Sequence, residues 1–239
     1  MVLRDRPQKE FSLILPGYNE EEAVVNSVQE CHAALTKNFT HFELILINDC
    51  SKDGTAEKME EAAISYPEVR VYHNEKNLGQ GESLKKGFQL AEGEIVMHNG
   101  FDLPFDPMDL DKIKEIMSDN TDVVVVERED RKAYSFYRKV ISWANVLLLK
   151  LLFRCPFGDY NFVQAYRRHV LEVISAKTKA VGSVIPEFII RSFRANFSVK
   201  SIKLPYHERK TGKSSIGMKQ VFGALLDTMK LWWWLKSEN

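Results

Sequence analysis

Asp102 lies where an apolar run, Glu94-Ile95-Val96-Met97-His98, gives way to a polar turn, Asn99-Gly100-Phe101-Asp102-Leu103-Pro104. A carboxylate at such a point can hold a hard divalent cation against a diphosphate. A lone loop Asp can equally close a turn on its own backbone. Three upstream segments bear on that choice. Leu13-Ile14-Leu15-Pro16-Gly17-Tyr18-Asn19-Glu20-Glu21-Glu22 reads as a strand, a turn and a helix start, with Asn19 as cap and acids in the first turn. Phe42 to Asn48 is a second apolar strand that delivers Asp49, Ser51, Asp53, Gly54 and Thr55 to its C-terminal end, the edge where open α/β sheets bind ligands. Asn77-Leu78-Gly79-Gln80-Gly81 is a Gly-containing lead into a helix, whose start favours an anion.

In this order and spacing, the segments resemble the nucleotide-binding half of inverting family-2 glycosyltransferases, which have the GT-A fold. Within that family the pattern is similar to the polyprenyl-phosphate sugar transferases, typified by dolichol-phosphate mannosyltransferases. The family's Pro-x-Tyr-Asn-Glu start is matched by Pro16, Tyr18, Asn19 and Glu20. Its Asp-Asp-Gly-Ser-x-Asp-Gly-Thr segment is matched by Asp49, Ser51, Asp53, Gly54 and Thr55, with Asn48 and Cys50 as departures. Asn77 and Gly79 match its Asn-x-Gly, and Gly93 with Glu94 match its Gly-Glu. Its Asp-x-Asp appears as Gly100-Phe101-Asp102, without the first acid. Further on, Arg138 lies in a helix similar to the family's Arg-containing one, Asp159 and Glu187 fall where acids are expected, and Arg209, Gly212 and Ser214 match Arg-x-x-Gly-x-Ser. Ser215 stands where a Lys is usual, and Lys213 can supply that cation. The resemblance covers roughly residues 10–216.

That resemblance implies a donor pocket built from Pro16, Tyr18, Asn19, Glu20, Asp49, Asn77 and Gly79, with Glu20 and Asp49 accepting hydrogen bonds from base or ribose. It implies Mg²⁺ or Mn²⁺ on Asp102, and Arg138, Arg209 and Lys213 as cations for the diphosphate of a nucleotide sugar. For Arg138 alone, a solvated helix face is the competing reading. A polyprenyl phosphate acceptor brings its own anionic nucleophile, which Arg128 or Arg138 need only position. A saccharide hydroxyl needs a carboxylate base, for which Asp159 and Glu187 are the candidates. Gly100 and Asn48, each replacing an Asp of the pattern, give force to a third reading: a catalytically weak sugar-nucleotide-binding or scaffold protein.

The elements that must carry these residues alternate. Strands are expected near 11–16, 42–48, 69–73, 94–98 and 122–127, and helices near 20–37, 54–66, 80–92, 107–118, 136–153, 167–175 and 186–195. This predicts an α/β chain with a mainly parallel, Rossmann-like sheet flanked by helices. One GT-A domain over 1–239 is expected, with a nucleotide-sugar half over about 10–106, an acceptor half over about 107–216 and an amphipathic helix over 217–239. A chain of 239 residues, 44% apolar and 28% charged, can bury a substantial core. The 33 basic and 33 acidic residues cancel, which argues against nucleic acid as a partner. Cys31, Cys50 and Cys155 lack metal-ligand spacing and suit reduced thiols in the cytoplasm. The charged N-terminus shows no signal core, and the apolar run from Val140 to Phe153 is too short to cross a bilayer. Trp232, Trp233 and Trp234, flanked by Lys230 and Lys236, suit a helix lying on the cytoplasmic membrane face. Packing on the domain or in a homodimer is the alternative for these rings.

Overall fold

The computed structural model describes residues 9–118, 120–129, 136–207 and 218–237. The elements run β1 (Lys9–Gly17), α1 (Glu21–Asn38), β2 (Phe42–Asn48), α2 (Thr55–Ser65), β3 (Val69–His73), α3 (Gln80–Leu90) and β4 (Gly93–His98). A 3₁₀ turn, Pro107–Asp109, then leads into α4 (Leu110–Ser118), followed by β5 (Val123–Arg128), α5 (Phe136–Phe153), β6 (Gln164–Arg167), α6 (Arg168–Val173), α7 (Val181–Arg194), β7 (Val199–Leu204) and α8 (Met218–Ser237). The strands form one seven-stranded sheet in the order β3-β2-β1-β4-β6-β5-β7. Only β6 is antiparallel to its neighbours, β4 and β5.

The near-continuous apolar runs of β1 and β2 are what a strand covered on both faces requires. Leu13, Leu15, Leu44 and Leu46 face one layer with Val24, Val28, Met59, Leu110 and Ile113. Ile14, Ile45 and Ile47 face the other with Leu84, Phe88, Ile185 and Ile189. The side-chain period of two thus divides one core into two, with α1, α2 and α4 on one side and α3 and α7 on the other. Pro16 is tolerated in the central strand because the pairing of β1 with β4 ends at Ile14, before its missing N–H would be needed.

Two strands, β6 and β7, escape the sequence pattern. β6 is four residues long, Gln-Ala-Tyr-Arg, and β7 is an edge strand whose exposed Lys200 and Lys203 interrupt any apolar run. Charge on an edge blocks pairing with foreign strands, and it also hides the strand from a hydrophobicity reading. The helix expected to begin at Pro186 begins at Val181. Pro186 therefore lies inside α7 rather than at its start.

The end of the sheet opposite the expected ligand edge is closed by a buried carboxylate. Glu43, 0% exposed, accepts hydrogen bonds from Ser12 Oγ (2.6 Å) and Glu92 N (2.7 Å), and pairs with Lys9 Nζ (2.8 Å) and Arg70 Nη1 (2.6 Å). Glu92 also pairs with Lys9 and Arg70. Burial pushes the Glu43 carboxyl up, but the bonds from Lys9, Ser12, Glu92 and Arg70 outweigh it and hold it below its usual range. Next to this network, a Cβ on Gly93 would stand 2.6 Å from backbone atoms of Phe11 and Ser12. The Gly-Glu motif is thereby explained as close strand packing.

Candidate active site

The strand order turns back at β1: β2 and β3 lie to one side, β4 to the other. A crevice opens at such a switch point, outside the C-terminal ends of the strands. The four loops that follow β1 to β4 meet there. A Cβ on Gly17 would stand 2.7 Å from the Phe101 ring, so only glycine lets the first loop and the Asp102 loop pack together.

The first two motifs interlock. Asn19 takes a left-handed conformation (φ 55°), donates from its N–H to Ser51 Oγ (3.0 Å) and accepts from Lys52 N through its side chain (2.9 Å). It is a cross-loop staple and not the expected helix cap; Glu20 occupies the cap position of α1. Glu20 N donates to Thr55 Oγ1 (2.8 Å), and Gly54 N donates to Glu21 Oε2 (3.1 Å). Burial pushes Asp53 up, but bonds from Thr55 and the Glu21 amide outweigh it and hold the carboxyl below its usual range. Asn48, a departure from the pattern, accepts from Ser51 N (3.0 Å) and donates to His73 Nδ1 (2.9 Å), whose Nε2 faces Glu60 (2.7 Å). An ionised aspartate could not make that donation. Tyr18, half-buried Glu20 and exposed Asn77 remain at the rim.

Asp49 has a partner set different from the expected one. It is 2% exposed, and its oxygens accept from Leu78 N, Gly79 N and Asn74 Nδ2, each at 2.8 Å. It lies beneath the Asn77–Gly79 loop, whose backbone it holds. Asn74, 6% exposed, was not singled out from the sequence, where a loop Asn carries no distinguishing signal.

The Asp102 loop is closed by buried Asn99, whose side chain donates to Phe105 O (2.9 Å) and accepts from Gly100 N (3.0 Å). Leu103 follows with φ 43°, a strained conformation for a branched side chain. Asp102 Oδ1 would stand 2.4 Å from a Cβ on Gly100. A side chain at position 100 would require the Asp102 carboxylate to turn aside. Among the described residues no cluster of three or more His, Cys, Asp or Glu could hold a metal ion by itself. A single loop carboxylate still fits Mg²⁺ or Mn²⁺, since such ions take one or two protein carboxylates and complete their shell with phosphate oxygens and water. Burial pushes the nearby His98 down to about 4, so it is neutral at physiological pH and adds no charge here.

On the acceptor side, Arg128 Nε and Nη2 clamp Asp159 at 2.6 and 2.9 Å, and the guanidinium also lies near the Phe162 and Tyr206 rings. Asp159 accepts further from Asn161 N (3.1 Å). Arg128, expected as a candidate for the acceptor phosphate, is thus committed to a carboxylate. Glu187, 0% exposed, accepts from Lys177 N (3.0 Å), Thr178 N (2.8 Å) and Arg191 Nε (2.7 Å). It shapes the loop before α7, which Lys85 of α3 grips through Thr178 O (2.9 Å). His207 N donates to Pro104 O (3.0 Å), so the chain leaves β7 against the Asp102 loop. Arg209 and Lys213 lie outside the described residues, as does the side chain of Arg138, whose backbone is in the first turn of α5.

A parallel-dominated α/β sheet whose motif-bearing loops gather at the C-terminal ends of the strands is a GT-A-like fold. The family model Glycosyl transferase family 2 matches residues 12–174, and the chain belongs to that family. It is 30% identical over 225 residues to an undecaprenyl-phosphate 4-deoxy-4-formamido-L-arabinose transferase of Pectobacterium atrosepticum, covering 92% of this chain and 67% of the relative. It is 25% identical over 233 residues to a dodecaprenyl-phosphate galacturonate synthase of Rhizobium johnstonii, covering 95% and 68%. The chain therefore spans about two thirds of the length of these relatives. Glucosyl-3-phosphoglycerate synthase from Mycobacterium tuberculosis superimposes with a TM-score of 0.72 at 17% identity, covering 94% of this chain and 80% of that one. The same enzyme with Mn²⁺, uridine diphosphate and glucosyl-3-phosphoglycerate bound gives 0.72 at 15% identity, with the same coverage. At these identities the likeness is one of fold.

Proposed function

We propose that this chain transfers a sugar, with inversion, from a nucleotide diphosphate sugar to a polyprenyl phosphate at the cytoplasmic face of a membrane. The observation that carries this reading is the state of the two carboxylates suited to activating a hydroxyl. Asp159 is clamped by Arg128, and Glu187 is fully buried on two amides and Arg191. A hydroxyl acceptor needs a free base; a phosphate monoester oxygen is already an anion and needs only position. The names of the relatives, which pair undecaprenyl or dodecaprenyl phosphate with a sugar, support the same acceptor class. Those names carry a 4-deoxy-4-formamido-L-arabinose and a galacturonate, and a hexose is the sugar proposed for this chain, to be read out by the donor panel below.

In the reaction, the acceptor oxygen attacks the anomeric carbon from the face opposite the diphosphate, and the bond from that carbon to the diphosphate breaks. A divalent cation, when bound at Asp102, supplies Lewis-acid stabilisation to the departing diphosphate. The interlocked first and second loops and the Asn77–Gly79 loop hold the nucleoside end. Arg209, Lys213 and Arg138 are proposed as further cations for the phosphates. Incubation with Mn²⁺, a panel of UDP-, GDP-, dTDP- and CDP-sugars and undecaprenyl phosphate should yield a lipid-linked sugar of inverted configuration. Transfer to free oligosaccharide hydroxyls, with none to the lipid phosphate, would sink this reading.

Membrane contact is supported by two stripes. On α5, Trp143 (64% exposed), Leu147 and Leu151 (71%) stand at i, i+4 spacing; on α8, Leu225, Met229 and Trp233 (68%) do the same. The two helices pack against each other. Leu231 and Leu235 turn inward, and Lys236 lies 4.8 Å from the Trp232 ring. Exposed Trp and Leu bordered by Lys suit a headgroup layer. No helix among the described residues is long and apolar enough to cross a membrane. The full chain should co-sediment with anionic phosphatidylglycerol vesicles, and Trp143→Ser with Trp233→Ser should abolish most of that. Equal sedimentation of the double variant would remove these helices as the contact.

A further inference from the structure

We propose that His73 is a positioning residue for the donor loop after β2, and that nucleotide binding weakens as its ring takes up a proton. Asn48, 4% exposed at the end of β2, fixes the tautomer. Its Oδ1 is identified by the Ser51 N–H it accepts (3.0 Å), so the group facing His73 Nδ1 at 2.9 Å is its NH₂. Nδ1 must therefore be the acceptor, and the ring proton sits on Nε2, which donates to Glu60 Oε1 (2.7 Å). From Asn48 the tie runs on into the first loop. Ser51 Oγ accepts from Asn19 N (3.0 Å), and Asn19 Oδ1 accepts from Lys52 N (2.9 Å). Cys50 reaches the same segment as Asn48, its Sγ donating to Glu75 O (3.8 Å). The two departures from the second motif thus both lean on the chain around the end of β3.

Protonation breaks this arrangement at one atom. Imidazole is the side chain whose ordinary titration falls between about pH 5 and 8. His73 is exposed, so protons reach it without unfolding. In the charged ring Nδ1 also carries a proton and points it at the Asn48 NH₂, donor against donor. Either the amide turns over, which takes Oδ1 from Ser51 N, or the ring swings away and leaves the buried NH₂ unpaired. Both loosen the Ser51 turn and its staple to Asn19. The charged groups around His73 leave the Nδ1 side alone. Glu60 of α2 receives Nε2–H in both ring states, and Lys86 of α3 lies on the backbone oxygen of His73 (3.3 Å) and on Asn74 Oδ1 (2.8 Å). The coupling of His73 to Ser51 needs no assumption about substrate; its effect on the nucleotide rests on the function proposed above.

The test is a titration of the full chain from about pH 8 to pH 5, read in two ways. By NMR without ligand, the Ser51 amide should titrate with the same midpoint as the His73 ring. With Mn²⁺ and a panel of UDP, GDP, dTDP and CDP, the nucleotide that binds should bind about fivefold more weakly at the acid end, the loss of one hydrogen bond. Phosphates titrate too, so this loss is measured against His73→Asn, whose amide oxygen accepts from Asn48 at every pH. That variant should show no excess acid loss and a Ser51 amide that stays still. Asn48→Asp should reverse the sign, because a carboxylate accepts from both Ser51 N and the protonated ring. Its binding should hold or strengthen relative to His73→Asn as pH falls, and its His73 midpoint should rise above the wild-type one. If Asn48→Asp does not fold, His73→Asn, changed at an exposed position, decides by itself. A Ser51 amide indifferent to the His73 midpoint would overturn the inference, as would equal acid losses in wild type and His73→Asn. Should no nucleotide bind at any pH, the transferase reading fails while the Ser51 titration still decides this one.

Discussion

Asp102→Ala is expected to lower sugar transfer by about 10²–10³-fold, the usual scale for removing one preorganised group from a developing charge. The melting temperature should move little, because Asp102 is half-buried in a loop outside the core and the Asn99 bonds to Phe105 O and Gly100 N remain. The response to Mn²⁺ should vanish with the carboxylate. Gly100→Asp sharpens the point. Read as a motif, this change restores the second acid and should help. In the structure the new Cβ meets Asp102 Oδ1 at 2.4 Å, so the carboxylate must leave its present place and activity should fall. Steady-state transfer at saturating Mn²⁺, with a thermal melt of each variant, measures both. Retained Mn²⁺ dependence in Asp102→Ala, or a gain in Gly100→Asp, would remove Asp102 from its assigned place.

The largest stability effect is expected at the other end of the sheet. Glu43→Ala removes a buried carboxylate, leaves Lys9 and Arg70 with Glu92 alone and strips the Ser12 hydroxyl and the Glu92 amide of their acceptor, a change that costs about 1–3 kcal/mol. The pH dependence has a definite sign. The folded-state value of Glu43 is depressed, so its contribution is complete above the unfolded value of roughly 4.3 and is lost as pH falls through the folded one. Urea unfolding of wild type and Glu43→Gln should therefore differ most at neutral pH and converge in acid. The raised values of Lys9 and Arg70 act only in strong alkali and leave that window unaffected. A stability difference that stays constant from pH 7 to pH 3 would contradict the ion-pair account.

The sequence alone determined the α/β class, β1 to β5 and the helices that alternate with them, because strands covered on both faces must be continuously apolar and their turns must carry Gly, Asn and Asp. It also determined which loops gather at the ligand edge, since each motif follows a strand directly. Only the tertiary structure decided what the polar residues do. Asn19 joins two loops, Asn48 serves His73, and Asp49 turns under α3, because each finds a partner 25 or more residues away in sequence. The same holds for Asp159 and Glu187, whose acids a motif marks equally whether free or clamped. β6 and β7 were invisible for a related reason: a four-residue strand and a lysine-bearing edge owe their structure to neighbours, not to their own pattern. Periodicity reports how a segment meets water and core, whereas a hydrogen bond depends on distance and angle between groups that only the folded chain brings together.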